Sequence, residues 1–99
     1  AVTFVFDGQQ LIGCGRAISD GVYNAAIYDI AVSGDYQGYG LGKAVVQRLM
    51  GRLADCNIIL YASPGKETFY RKLGFRNMLT GLARFTNEPR MIERGFIEE

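Results

Sequence analysis

The chain has 99 residues, 48% hydrophobic and 21% charged, with 11 basic against 10 acidic side chains. This composition implies one globular domain over residues 1–99, and a net charge of +1 supports neither nucleic acid nor a membrane surface as partner. The chain has no histidine, which excludes Ser-His and Cys-His nucleophile systems and the usual zinc sites. Cys14 and Cys56 fit neither a disulfide framework nor a metal spacing, so no metal is expected. No apolar run approaches the roughly 18 residues needed to span a bilayer. The opening AVTFVFDGQQ has no signal-peptide pattern, so the expected compartment is the cytoplasm.

In chain order, AVTFVF reads as a strand that ends at Asp7-Gly8, a strong hairpin signal. QQLIGCGRAIS is its partner, with Gly13 and Gly15 marking a bulge or bend. Asp20-Gly21 is a second turn and NAAIYDIAVS a third strand, which completes an antiparallel meander. From Leu41 to about Ala54 the pattern turns helical. Leu41, Val45, Leu49 and Leu53 form one stripe, with Ala44 beside it. NIILYAS, Asn57 to Ser63, reads as a buried strand. KETFYRKL follows Pro64-Gly65 as a short amphipathic helix capped by Gly74. FRNMLTGLARFT reads as strand, turn at Thr80-Gly81, strand, and a short helix is expected over Arg90 to Arg94. The order β-β-β-α-β-α-β-β defines a mixed α+β fold. Its sheet is mostly antiparallel, with a central parallel β-α-β crossover and helices packed on it.

Between the third strand and the first helix lies YQGYGLGK. A helix N-terminus presents unpaired N–H groups and a positive dipole end, and glycines let the backbone close on a phosphate. Two familiar phosphate loops fail here. The Walker pattern would need glycine at Gln37 and Ser or Thr at Ala44. The dinucleotide pattern would need glycine at Lys43 or Val45. The pattern present is Q-x-x-G-x-G: Gln37, Gly40 and Gly42. Further on, FYRKLGF spans Phe69 to Phe75.

Together these two motifs, in this order and on these elements, resemble the GCN5-related N-acetyltransferase (GNAT) superfamily. Its signatures are an acyl-CoA pyrophosphate loop R/Q-x-x-G-x-G/A and a downstream F-Y-x-x-x-G-F. The resemblance covers Asn24 to Phe75 and implies acetyl transfer from acetyl-CoA to a primary amine by direct attack. It assigns the pyrophosphate to Gln37, Gly38, Tyr39, Gly40, Leu41, Gly42 and Lys43, although Gly38 falls on no motif position. The pantetheine arm would meet the strand edge at Ile30, Ala31 and Val32, with Ser63 and Phe69 also on the cofactor side. Ser63 stands where family members often carry asparagine.

Tyr70 takes the place of the tyrosine that serves as general acid. Asp29 is the candidate base, on the cofactor strand, with a plain strand carboxylate as the alternative. Glu67 reads as a helix-start carboxylate. Lys43, Lys66 and Lys72 are solvated lysines or reach the phosphates. Tyr23, Tyr28 and Tyr61 line an aromatic acceptor pocket or are strand packing.

The family's opening strand and two helices have no counterpart before Ala1, so the acceptor side is expected to be truncated, open or completed by another chain. The sequence leaves two other functions open: a CoA-binding module without its own acceptor site, and a structural α+β domain. A homodimer through an open sheet edge is a further expectation.

Overall fold

Val2–Asp7 forms strand β1 and Gln10–Ser19 forms β2. Gly8 and Gln9 join them, with Gly8 at φ +61°, the left-handed backbone that an Asp-Gly turn signals. The turn over residues 20–23 leads into β3, Asn24–Val32. There the Asp20 carboxylate accepts the N–H groups of Val22, Tyr23 and Asn24 at 2.8, 2.9 and 3.1 Å. Those bonds hold the Asp20 carboxyl below its ordinary pKa. A 3-10 turn over Gly34–Tyr36 opens the glycine loop, and α1 runs from Leu41 to Arg52. Strand β4, Asn57–Ile59, completes a four-stranded sheet in the order β1-β2-β3-β4. The first two pairings are antiparallel and the last is parallel, as expected for a crossover through α1.

The computed structural model describes residues Ala1–Glu99. They divide into two compact units, Ala1–Leu60 and Tyr61–Glu99. The second holds α2, Glu67–Lys72, and α3, Glu88–Glu93. The fold class is mixed α+β, with a mostly antiparallel four-stranded sheet.

The core of the first unit lies between α1 and one face of the sheet. Val45, Val46 and Leu49 are fully buried, and Leu53 nearly so, against Ile12, Ala17, Ala25 and Ile27. Ala44, expected beside the stripe, is exposed. At about 100° per residue, Val46 and Ala44 lie on opposite sides of Val45, and Leu49 and Leu53 fall on the Val46 side. The buried arc therefore includes Val46 and not Ala44.

Two strand expectations change. The strand expected over Asn57 to Ser63 pairs only at Asn57–Ile59, opposite Asn24, Ala25 and Ala26. The segment from Phe75 to Thr86 contains no strand, and its turn falls at Leu79 and Thr80. Alternating apolar residues make a strand only against a partner. Here Leu79 and Leu82 are 96% and 99% exposed, so nothing lies against them. The last helix begins two residues earlier than expected, because the Asn87 side chain caps it by accepting the Arg90 N–H at 3.2 Å, with Pro89 in the first turn.

Helix α1 crosses the sheet at Gly15. A Cβ there would lie 2.5 Å from Ile30 Cδ1 and 2.6 Å from Val45 Cγ1. The Ile30 methyl can swing away, but Val45 is fixed on the buried helix face. Gly15→Ala should therefore cost about 1–3 kcal/mol in a denaturation experiment, and an unchanged midpoint would contradict this packing. The opposite sign is expected at Thr3, whose buried hydroxyl has no hydrogen-bond partner. Thr3→Val removes an unsatisfied group and should raise stability by about 1 kcal/mol, measured in the same way.

Candidate active site

The site in the first unit begins on β3, which β4 covers only over Asn24, Ala25 and Ala26. From Ile27 to Val32 that edge of β3 has no strand beside it, so its peptide groups, apart from the Val32 carbonyl that Gln37 engages, are available to an extended ligand. The strand also contains a bulge. Cys14 pairs with Ala31 and Arg16 with Tyr28, so Gly15 faces both Asp29 and Ile30. Asp29 absorbs the extra residue at φ +58°, the one non-glycine residue with a positive φ. Alternation shifts at this point. Ala25 and Ile27 face the core before the bulge, and Ile30 takes the helix side after it. The bulge or bend expected near Gly13 and Gly15 is thus present: at Gly15 the extra residue lies on the partner strand, and beside Gly13 the β1–β2 register skips Ile12 on β2 itself.

Asp29 itself is exposed. Its carboxylate pairs with Arg16 Nε, and the Arg16 guanidinium sits 5.2 Å from the centroid of the Tyr28 ring. The candidate base is therefore held by a cation on the neighbouring strand. Cys14 lies close by, with its thiol 3.8 Å from the Asp29 carbonyl oxygen.

Beyond Val32 the loop turns back. Gln37 Nε2 donates to the Val32 carbonyl at 3.1 Å, and the Tyr36 hydroxyl donates to the Asp7 carboxylate. That bond raises the Tyr36 phenol above its ordinary pKa. Gly38 and Gly40 follow at φ +90° and +79°, and Gly40 is the N-cap of α1. The freedom of glycine is needed at both positions, which gives Gly38 a backbone role that the motif did not assign. Gly42 lies inside the helix.

The first N–H after Gln37 with a protein acceptor is that of Ala44, bonded to the Gly40 carbonyl at 3.1 Å. The N–H groups of Gly38, Tyr39, Gly40, Leu41, Gly42 and Lys43 have none. No acidic residue occupies the first turn of α1, so its positive end is uncompensated there. An open cavity of about 450 Å³ lined by Gln10, Asp35, Tyr36 and Tyr39 lies beside this loop.

The second unit holds Tyr70. Gly74 ends α2 at φ +98°; its N–H bonds the Arg71 carbonyl at 3.1 Å, and the Phe75 N–H bonds the Tyr70 carbonyl at 3.2 Å. This is a Schellman cap. It brings the Phe75 ring to 5.9 Å from Tyr70, while Phe69 packs edge-on to Tyr70 at 4.9 Å. The glycine and both phenylalanines of the motif thus position one phenol. Burial among them raises the Tyr70 pKa, which keeps the hydroxyl protonated at neutral pH.

Glu67 accepts the Gly65 N–H at 3.0 Å, in keeping with its reading as a helix-start carboxylate. The Ser63 carbonyl accepts the Lys66 N–H at 2.9 Å, and its side chain is exposed. A second cap at Gly95 places Phe96 against Phe85 and Tyr61, at 6.2 and 6.0 Å. Tyr61 is thus part of an aromatic cluster. Nothing in the sequence marks Arg16 and Tyr36, or Asp7 beyond its turn, because their partners lie far away in the chain. Asp29, a poor strand former that tolerates left-handed backbone, joins Gly13 and Gly15 as a sign of the bulge.

A family model described as an acetyltransferase (GNAT) domain matches residues 1–77. The chain belongs to the GNAT acetyltransferase family. It is 48% identical over 70 residues to GCN5-related N-acetyltransferase 1, chloroplastic, of Arabidopsis thaliana, covering 68% of this chain and 36% of that protein. It is 49% identical over 63 residues to serotonin N-acetyltransferase 2, chloroplastic, of Oryza sativa subsp. japonica, covering 61% of this chain and 32% of that one. The chain thus spans about a third of these relatives. A GNAT-family acetyltransferase structure from Streptococcus pneumoniae superposes with a TM-score of 0.77 at 23% identity, over 86% of this chain and 70% of that one, a likeness of fold. No helix is long and apolar enough to cross a membrane.

The burial of Tyr70 has a direct optical test. The alkaline difference spectrum between wild type and Tyr70→Phe should show a phenol ionising above the ordinary value of about 10, and ionisation at or below it would contradict the packing.

Proposed function

We propose that this chain forms the cofactor-binding part of an acetyl-CoA-dependent N-acetyltransferase that acts on a primary amine. The observation that carries this reading is the run of N–H groups from Gly38 to Lys43. They have no acceptor in the protein and lie at two left-handed glycines and the positive end of α1. A pyrophosphate suits that donor set, and it needs no cluster of basic side chains.

In this reading Gln37 sets the loop, the peptides around Tyr39, Leu41 and Gly42 face the pyrophosphate, and Lys43 adds a charge. The open edge at Ile30, Ala31 and Val32 pairs with the pantetheine amides, and Ser63 and Phe69 are assigned to the same arm. Bound acetyl-CoA supplies an activated thioester. A backbone N–H near Val32 polarises the acyl oxygen. The amine nitrogen bonds to the acyl carbon as the carbon–sulfur bond breaks. Tyr70, which its raised pKa keeps protonated, is the proposed donor of a proton to the departing sulfur. Asp29 is the proposed acceptor of the proton lost by the amine, directly or through water, with Arg16 fixing its carboxylate.

A second reading is a CoA-binding module that lacks its own acceptor site. The same unpartnered N–H groups support it, since they would hold the carrier whether or not an amine is acetylated. The name of the rice relative makes an arylalkylamine the first acceptor to try.

Calorimetry with acetyl-CoA should show saturable one-site binding, and the absence of binding would sink both readings. Release of free thiol on a panel of amines that includes serotonin separates them, because binding without turnover selects the second. Tyr70→Phe should lower kcat by about 100-fold while acetyl-CoA affinity holds; unchanged turnover removes the acid role.

A further inference from the structure

The loop ahead of the unpartnered N–H groups is anchored at two adjacent residues, in two directions. Gln37 holds it to its own strand through the Val32 carbonyl at 3.1 Å. Tyr36 reaches away from that strand to Asp7, which closes the β1–β2 hairpin opposite Gln10. Between the loop and the hairpin lies the cavity of about 450 Å³ whose lining includes Gln10 and Tyr36. The bond between the phenol and the carboxylate joins the two segments beside that cavity. Gly38, the first left-handed residue of the cradle, comes two positions after Tyr36.

We infer that Tyr36 and Asp7 are positioning residues for the anion cradle, forming a strut from the first hairpin that orders the loop before a ligand arrives. The inference rests on the cofactor reading above. A loop with two left-handed glycines has many accessible backbone states, and selecting one of them costs entropy. An anchor formed on folding meets that cost in advance, so ligand binding does not have to. The carboxylate is the stronger kind of acceptor for a phenol, and the raised Tyr36 pKa reflects the same contact. Neither residue reaches the reacting atoms in this account, so the strut acts on affinity rather than on the chemical step.

A double-mutant cycle tests this, with CoA affinity measured by calorimetry. Tyr36→Phe and Asp7→Ala should each weaken CoA binding about five- to tenfold, and the double variant should lose no more than either single one. Asp7→Asn keeps an acceptor oxygen and should restore most of the affinity. At saturating acetyl-CoA, kcat should stay within about twofold of wild type. Failure of wild type to bind CoA overturns the cofactor reading and the strut with it. Wild-type binding with unchanged single variants, with additive losses, or with a fall in kcat alone overturns the strut and leaves the cofactor reading standing. If Tyr36→Phe does not fold, the comparison of Asp7→Asn with Asp7→Ala decides.

Discussion

The first unit depends on how closely α1 approaches the sheet at Gly15. The absence of a side chain there admits Ile30 and Val45 to one spot, and that close contact fixes the position of the helix. The same residue faces the bulge in β3. One glycine therefore serves two needs. It lets the helix lie low on the sheet, and it accommodates a strand that carries an extra residue. The direction of the helix N-terminus and the path of the strand edge are set together, and these are the two surfaces that a long, extended acyl carrier would need.

The charge of the site comes from backbone rather than side chains. The net charge is only +1. Unpaired N–H groups and a helix dipole provide a local field that net charge does not report. Side chains serve mainly to shape that backbone: Gln37 ties the loop to β3, Tyr36 ties it to the hairpin, and glycines supply the left-handed turns. In the second unit the caps at Gly74 and Gly95 present aromatic rings in the same way, at the second residue after the last helical turn.

The parts of the molecule legible in its sequence were those with local causes. The Asp-Gly turn, the 3.6-residue period of α1, the glycine loop and the F-Y-x-x-x-G-F element are each decided by neighbours a few positions apart. The motif spacing brought out Gln37, Gly40 and Tyr70 for that reason. What could not be read depends on partners distant in the chain. The ladder of β4 ends at Ile59 although the edge of β3 runs on to Val32, and no pattern within NIILYAS states this. The segment around Leu79 and Leu82 has strand composition without a strand to pair with. The contacts Tyr36–Asp7 and Arg16–Asp29 join residues 29 and 13 positions apart, and single-sequence reading has no signal for either.

A cradle of main-chain N–H groups grips only what every form of its ligand shares. Loaded and spent carriers have the same pyrophosphate, so the loop from Gly38 to Lys43 would hold both with similar strength. Its grip would give affinity without selectivity for the acyl group. In a turnover cycle built on such a loop the used carrier would compete with the loaded one, so the occupancy of the site would follow the ratio of loaded to spent carrier.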